Sequence, residues 1–426
     1  MKKNNHIILD ILLIVIMIIA MFFLSIQNAF AFESKAFDIT RKTQLGKDLK
    51  SQYVPRGSIV SEVNTGRVLF HENSDLQWTP ASMSKLMVIE LAYEEIEKGV
   101  LSMDSETVVP EKYMSLVRNP KLSNNDARVG CRYTVSELIS LIIVPSSAIA
   151  TYMLADMIEP DYVKFVQLMN KRAGELGMSE TVYVNPIGVR SGLLKEFAPE
   201  GSDPEADNLT SARDYAILAT HIIREHRDIL NHTGERTIVI KEGTAYEETF
   251  TGYNHALPGA AYPLKGMDGL KTGSADKGYN FTGTAQRGST RLVEVLLGVS
   301  KWDDKKAEYK RHIVGNALLQ DCFSKYEYRC VLRRGRHKID GVMVNVEEDL
   351  WDLVPKDHRE SQCRLNQDNK TITSGFKTDF LPGYREAQVG YYVGSYEFLY
   401  NHRIAETVIL VVLILLLIIR VKVKRR

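Results

Sequence analysis

The order of apolar and polar positions predicts a chain in which helices and strands are mixed. Two β-rich runs with a turn between them predict a hairpin over residues 57–70. Apolar residues at helical spacing predict helices over residues 82–99 and 133–144. From Arg236 onward the pattern is mostly strand-like, and it returns to helix over residues 302–319.

These elements predict two folded units. Residues 35–325 are interpreted as one α/β (α+β) unit, an antiparallel sheet flanked by helices, because strands that follow one another along the chain favour antiparallel pairing. After Tyr328, short strands with turns at regular intervals predict a small all-β domain over residues 330–397. The length of 426 residues suits two or three such units.

The N-terminal segment has the pattern of a secretory signal. Lys2 and Lys3 precede an apolar run over residues 7–24, and Ala29 and Ala31 supply the small residues of a cleavage site. We therefore expect a signal peptide over residues 1–31. An uncleaved membrane anchor is the alternative, since the apolar run is long enough to span a bilayer.

A second apolar run lies near the C-terminus, strictly apolar over residues 408–419 and followed by five basic residues. It predicts a transmembrane helix over residues 404–420, short or tilted, with the basic residues as a cytoplasmic tail. The protein is then expected in the cell membrane, with its large unit on the extracytoplasmic side.

Charge and cysteine content narrow the function classes. The net charge of the chain is +1 and both ends are basic, so the middle is mildly acidic. It therefore lacks the excess of basic residues that is typical of nucleic-acid binding. The four cysteines show no metal-ligand spacing. Outside the cytoplasm a disulfide is allowed, and the three full pairings stay open. The cysteines concerned are Cys131, Cys322, Cys330 and Cys363.

Among the candidate catalytic motifs, S-x-x-K occurs three times, at Ser82/Lys85, Ser274/Lys277 and Ser374/Lys377. Only Ser82 opens a long apolar helix, where side chains three residues apart share one face. A neutral amine there could take the serine proton, and the helix N-terminus could stabilise an oxyanion. The alternative is that Ser82 caps the helix and Lys85 is a solvated lysine.

The tripeptide K-T-G, Lys271-Thr272-Gly273, occurs once and is followed by Ser274. On a strand, Lys271 and Thr272 could hold a substrate carboxylate, while Gly273 would let the strand approach the ligand. A second lysine near Lys85 would also lower the pKa of its amine. A plain hairpin edge is the alternative for this segment.

The order of S-x-x-K, then P-S-S at 145–147, then K-T-G resembles the serine penicilloyl-recognising enzymes. Six segments resemble, in order, blocks of the low-molecular-weight penicillin-binding proteins that act as D-alanyl-D-alanine carboxypeptidases. They are P-A-S-M-S-K, Y-T-V-S-E-L, L-M-N-K-R-A-G-E-L-G-M, V-N-P-I-G, T-S-A-R-D and D-G-L-K-T-G-S-A-D-K. The resemblance covers residues 35–319 and implies a β-lactamase/transpeptidase-like fold.

The resemblance implies roles for individual residues. Ser82 would be the acylated nucleophile and Lys85 its base, and Ser146 would relay a proton. Lys271 and Thr272 would bind the terminal D-alanine carboxylate, and backbone N–H groups of Ser82 and Ser274 would form the oxyanion hole. The implied partners are peptidoglycan stem peptides as substrate and β-lactams as inhibitors, and no metal or organic cofactor is implied.

One residue departs from the family pattern. The family's middle motif is S-x-N, whereas this chain has Ser146-Ser147-Ala148, so an amide that would contact the lysine and the substrate is absent. Ser123-Asn124-Asn125 matches S-x-N by letter, but it lies in a polar loop and is interpreted as accidental. Ala148 supports one alternative, a catalytically impaired wall-binding protein. A β-lactamase of the same fold is another.

Overall fold

A computed structural model of the protein describes residues 34–198, 201–401 and 403–424. The predicted signal peptide over residues 1–31 lies outside these described residues. The division into domains at the predicted boundaries stays a prediction.

The helices follow the apolar periodicity, with shifts at their ends. The α-helices are α1 (Lys35–Arg41), α2 (Lys85–Glu97), α3 (Met114–Val117), α4 (Val135–Ile143), α5 (Ala148–Ile158), α6 (Tyr162–Leu176), α7 (Ala212–Glu225), α8 (Leu230–Thr233), α9 (Ala307–Lys325), α10 (Ser395–Asn401) and α11 (Ile404–Lys424). The capping box predicted by Thr134 and Glu137 is present at the start of α4.

The strands fall into a first group before residue 300 and a second group after residue 325. The first group is β1 (Gly57–Glu62), β2 (Val68–Glu72), β3 (Glu106–Val108), β4 (Arg132–Thr134), β5 (Thr237–Ile240), β6 (Glu248–Thr251), β7 (Met267–Ala275), β8 (Gly278–Arg287) and β9 (Thr290–Val299). The second is β10 (Tyr326–Leu332), β11 (Gly335–Ile339), β12 (Val342–Val346), β13 (Leu350–Pro355), β14 (Arg364–Asn366), β15 (Thr371–Thr373) and β16 (Gln388–Tyr392).

The main sheet is antiparallel, with strand order β2-β1-β9-β8-β7. Strand β9 is buried along its whole length because the sheet carries helices on both faces. Val293 and Val295 join a core with residues of α2, α5 and α7, whereas Leu292 and Leu296 join a core with α9. The predicted α/β unit with an antiparallel sheet and flanking helices is confirmed, and β7 at the sheet edge carries K-T-G.

The second group of strands forms a separate β unit with its own apolar core. It contacts the first unit at the β1–β2 hairpin, where the guanidinium of Arg67 is fully buried. Arg67 Nε and Nη2 donate to the two carboxylate oxygens of Asp352 at 2.8 and 2.6 Å, and Nη1 donates to the carbonyl of Phe376 at 2.8 Å. The predicted second β domain is therefore present, and a buried ion pair joins it to the larger unit.

The C-terminal transmembrane helix predicted over residues 404–420 is wrong. Helix α11 covers this segment, but within the described parts of the chain no helix has both the length and the apolar character needed to cross a bilayer. The physical reason is length: the strictly apolar positions 408–419 extend over about 18 Å of helix, whereas a hydrocarbon core is about 30 Å thick.

The four cysteines all lie in the described part of the chain and carry free thiols. Cys131, Cys322 and Cys363 are buried, and Cys330 is half-buried. None of the three pairings left open by the sequence is present.

Candidate active site

The S-x-x-K motif that opens α2 brings its two side chains together. Ser82 lies in a 3-10 turn, Ala81–Ser84, and Lys85 is the first residue of the α-helix. Lys85 Nζ lies 3.2 Å from Ser82 Oγ. Lys85 is 2% exposed, and burial lowers the pKa of its amine to about 7. Ser82 thus faces a buried amine rather than a solvated lysine.

Ser146 follows α4 and links both lysines. Its φ of +63° places it in the left-handed region, which turns its carbonyl and its hydroxyl toward the same amine. Lys85 Nζ donates to Ser146 O at 2.6 Å and to Ser146 Oγ at 3.1 Å. From the other side, Lys271 Nζ lies 3.0 Å from the same hydroxyl. The hydroxyl of Ser146 therefore lies within hydrogen-bonding distance of both amines.

Lys271 lies on β7 and is almost fully buried. Its Nζ also donates to the carbonyl of Thr272 at 3.0 Å. Burial, together with the charges of Lys85 and Arg311, holds the pKa of Lys271 well below its ordinary value. Two buried amines that share one hydroxyl cannot both be charged without a large cost, so at least one of them is readily neutral.

Two glycines allow the motif segments to approach each other. A Cβ on Gly273 would lie 2.5 Å from the carbonyl oxygen of Pro80 and 3.2 Å from Met83 N, so the K-T-G strand packs directly against the turn that holds Ser82. A Cβ on Gly188 would lie 1.9 Å from the carbonyl oxygen of Ala81. The sequence analysis predicted that Gly273 would let the strand approach a ligand, and it predicted neither the contact with Pro80 nor the one at Gly188.

These residues open onto a cleft of about 260 Å³. Lys271 and Gly273 do not line this cleft, but they lie on β7 next to Thr272 and Ser274, which do. The lining consists of Ser82, Lys85, Lys121, Leu122, Ser123, Ser146, Ala148, Ile187, Val189, Tyr253, Thr272, Ser274, Trp302 and Glu308. The neighbouring cavity shares Ser274, Val189, Lys121 and Trp302 and has about 630 Å³, enough to continue a groove for an extended ligand.

The polar loop before α4, residues 123–125, contacts the middle motif at residues 146–148. The sequence analysis interpreted the S-x-N match in this loop as accidental and did not predict these contacts. The N–H of Ala148 donates to Ser123 O at 2.8 Å. The Oδ1 of Asn124 accepts from the N–H of Ile149 at 2.9 Å, and the Oδ1 of Asn125 accepts from Ser147 Oγ at 2.8 Å. Both asparagines therefore hold the start of α5 and with it the position of Ser146.

Arg311 of α9 is a second residue that sequence reasoning missed. It is fully buried, and Nη1 donates to the carbonyl of Gly273 at 3.1 Å and to Ser274 Oγ at 3.3 Å. Burial lowers the pKa of its guanidinium to about 10. Arg311 thus fixes the K-T-G strand and places a positive charge behind it. An arginine within an amphipathic helix gives no sequence signal for this role.

Comparison with known protein families identifies the family of the chain. The model for D-alanyl-D-alanine carboxypeptidases, Peptidase S11, matches residues 47–301, more than half of the chain. The chain belongs to this family. It is thus a serine-type carboxypeptidase of the hydrolase class and a relative of the penicillin-binding proteins. A domain of unknown function, DUF1958, matches residues 328–388, within the second β unit.

One curated relative and two solved structures are similar to most of the chain, and the solved structures share its fold. The D-alanyl-D-alanine carboxypeptidase DacF of Bacillus subtilis is 28% identical over 300 residues, which cover 70% of this chain and 68% of that protein. The crystal structure of PBP3, a peptidoglycan synthesis regulatory factor from Streptococcus pneumoniae, has a TM-score of 0.66 at 24% identity and covers 79% of this chain and 99% of that one. The cefotaxime-bound penicillin-binding protein D2 of Listeria monocytogenes has a TM-score of 0.51 at 25% identity, with 63% and 97% covered.

Proposed function

We propose that this family member removes the terminal D-alanine from peptidoglycan stem pentapeptides through an acyl-enzyme on Ser82. Ser82 Oγ attacks the carbonyl carbon between the two D-alanines, and neutral Lys85 takes the hydroxyl proton. The C–N bond then breaks, and the leaving amine receives a proton through Ser146. Water attacks the ester, which releases the shortened peptide and restores the serine.

The observation that carries this proposal is the buried amine of Lys85, 3.2 Å from Ser82 Oγ with a pKa of about 7. A base with a pKa near the working pH combines a useful neutral fraction with a useful basicity. A solvated lysine would be almost entirely charged under the same conditions. The proposed general base therefore needs no histidine or carboxylate.

The substrate carboxylate is assigned to the K-T-G side of the cleft. Thr272 and Ser274 line the cleft, while the buried amine of Lys271 and the positively charged guanidinium of Arg311 lie behind them. A terminal carboxylate placed beside Thr272 gains hydrogen bonds at the surface and attraction from the charge beneath. We assign the oxyanion to the backbone N–H groups of Ser82 and Ser274.

β-Lactams are the proposed inhibitors, because they present a strained amide next to a carboxylate. The amide would face Ser82, and the carboxylate would lie beside Thr272. The Listeria relative named above is a cefotaxime complex, which supports the same chemistry here. Since peptidoglycan lies outside the cytoplasm, the proposed place of action is extracytoplasmic.

Release of D-alanine from an N-acylated pentapeptide tests the proposal directly. Ser82→Ala is expected to abolish both D-alanine release and labelling by a fluorescent penicillin. Ser324→Ala is a matched control, because Ser324 is exposed on α9 and its hydroxyl donates to the carbonyl of Asp321, away from the cleft. Labelling of Ser82→Ala at the control level would overturn the assignment.

The Ala148→Asn variant separates the enzyme from its alternatives. Measurable D-alanine release by the wild type supports the carboxypeptidase even if Ala148→Asn releases more. Penicillin labelling without D-alanine release in the wild type, restored by Ala148→Asn, would instead support an impaired wall-binding protein. Rapid turnover of penicillin would support a β-lactamase.

A further inference from the structure

A cluster of metal-ligating side chains lies away from the cleft, where α2 meets α7. Glu90 of α2 is fully buried, and its Oε2 has no hydrogen-bond partner among the described residues. Its Oε1 lies 3.0 Å from His221 Nε2, and its Oε2 lies 3.7 Å from His226 Nε2. A buried carboxylate oxygen without a donor costs free energy, and a cation bound to Oε2 would offset that cost.

We propose that Glu90, His221 and His226 form a binding site for a divalent transition-metal ion such as Zn²⁺. One ligand atom from each residue lies within 4.8 Å of the others. Four-coordinate zinc with ligand bonds of 2.0–2.1 Å separates neighbouring ligand atoms by about 3.3 Å. The Glu90 carboxylate approaches both imidazoles, with 3.0 Å from Oε1 to His221 Nε2 and 3.7 Å from Oε2 to His226 Nε2. Small side-chain shifts therefore suffice to close the three ligands around an ion.

The donor set selects the class of metal. Two imidazole nitrogens and one carboxylate suit zinc, copper or nickel, whereas magnesium and calcium prefer oxygen ligands throughout. The side chain of His221 is 26% exposed, which leaves a path for the ion and a place for a water as fourth ligand. The site thus combines a buried anionic ligand with an opening to solvent.

The surroundings of His226 orient it as a ligand. Tyr93 stacks on its ring with the centroids 4.5 Å apart and the planes 7° apart. On the far side, His226 Nδ1 lies 3.6 Å from the carboxylate of Glu97. This distance is too long for a hydrogen bond, but the negative charge beside Nδ1 favours the tautomer that carries the proton there and leaves Nε2 free to bind a metal.

Arg172 of α6 is the cation that neutralises Glu90 in this structure, and it competes with the proposed ion. Its Nη2 donates to Glu90 Oε1 at 2.7 Å and lies 3.0 Å from His221 Nε2. Its Nη1 is already 3.2 Å from Glu94 and 3.5 Å from Glu175. Arg172 therefore has two other carboxylates to contact when a metal takes its place beside Glu90.

An ion at this site would join α2 to α7 without contacting the reacting atoms. Glu90 is five residues beyond Lys85, about 7.5 Å along the helix. The expected effect of metal is thus on the stability of the helical layer rather than on the chemistry of Ser82.

Titration of the metal-stripped full-length protein, purified without a histidine tag, tests the site. Zn²⁺ is expected to bind with one equivalent per chain in calorimetry and to raise the melting temperature. Co²⁺ at the same site is expected to give the visible absorption of a four-coordinate ion. His226→Ala and Glu90→Gln should each weaken binding about 100-fold or more, beyond the roughly 10–100-fold that loss of a supporting hydrogen bond costs.

Two further variants complete the test. His71→Ala is the matched control, because the His71 side chain is 46% exposed and lies outside the cluster; binding should be unchanged. Arg172→Gln removes the competing cation and should tighten binding about tenfold or more. Absence of one-equivalent binding to the wild type would overturn the proposal. So would binding that survives in both His226→Ala and Glu90→Gln, whereas its loss in either folded variant supports it.

Discussion

Replacement of Lys85 by arginine tests the proposed general base, because it keeps the positive charge and removes the neutral form. A guanidinium stays protonated at every practical pH, so Lys85→Arg should slow acylation of Ser82 by about 10²–10⁴-fold. In the wild type, a pKa of about 7 sets the pH profile. About one amine in eleven is neutral at pH 6 and about ten in eleven at pH 8. The rate should therefore rise about tenfold between these values and level off above pH 8.

The assay is the second-order rate constant for labelling by a fluorescent penicillin between pH 5.5 and 9.5. Lys377→Arg is the control, since Lys377 is exposed in the β unit and belongs to an S-x-x-K match outside the site. An unperturbed amine, with a pKa near 10.4, would instead give a rate that climbs about tenfold per pH unit through pH 9.5. Such a climb in the wild type, or Lys85→Arg retaining a rate within about threefold, would refute the reasoning.

Three other substitutions have outcomes set by buried contacts. Both carboxyl oxygens of Glu294 lack a partner among the described residues, and burial raises its pKa to about 8 from 4.5. Because the unfolded chain releases that proton first, the wild type should lose stability relative to Glu294→Gln between these pH values, by up to about 1.4 kcal/mol per unit in urea unfolding. Asp352→Ala leaves Arg67 buried without its carboxylate and should lower the free energy of unfolding by about 3–5 kcal/mol. Gly273→Ala puts a Cβ 2.5 Å from the Pro80 carbonyl and should slow penicillin labelling about tenfold or more.

Matched controls exist for each of these substitutions. Glu348→Gln changes an exposed glutamate and should not alter the pH dependence of stability. Asp357→Ala removes an exposed carboxylate near Asp352 and should cost little. Gly174→Ala adds a Cβ that meets nothing within 4 Å and should leave labelling unchanged. Equal effects in a variant and its control would contradict the corresponding prediction.

The parts of the fold that the sequence predicted depend on short-range interactions. The capping box of Thr134 and Glu137 joins residues three apart, and the hairpin over β1 and β2 joins adjacent runs. The S-x-x-K spacing likewise brings Ser82 and Lys85 together within one turn. In each case the contact follows from local geometry, so the pattern of a few residues was sufficient.

The parts that the sequence did not predict depend on contacts between distant segments. Asn125 accepts from Ser147, which is 22 positions away, and Arg311 donates to Gly273, which is 38 positions away. The cluster of Glu90, His221 and His226 also forms only when α2 and α7 pack together. The sequence pattern does not show which residues of two distant segments meet, because packing of the whole core decides how those segments are placed.

The geometry around Lys85 shows where the missing amide at Ala148 takes effect. A neutral amine has two donors and one lone pair, and Lys85 Nζ already has three oxygens within 3.2 Å: two acceptors on Ser146, and the Ser82 hydroxyl, which can donate to the lone pair. An amide at position 148 is therefore not needed to satisfy this amine. Ala148 lines the cleft, so the absent amide removes a contact with the bound peptide instead. Loss of a substrate contact made equally in ground and transition states raises KM, whereas damage to the base would lower kcat and shift the pH profile. A wild type with a raised KM and the pH profile of an intact base would accordingly be an enzyme with altered substrate choice rather than an impaired one.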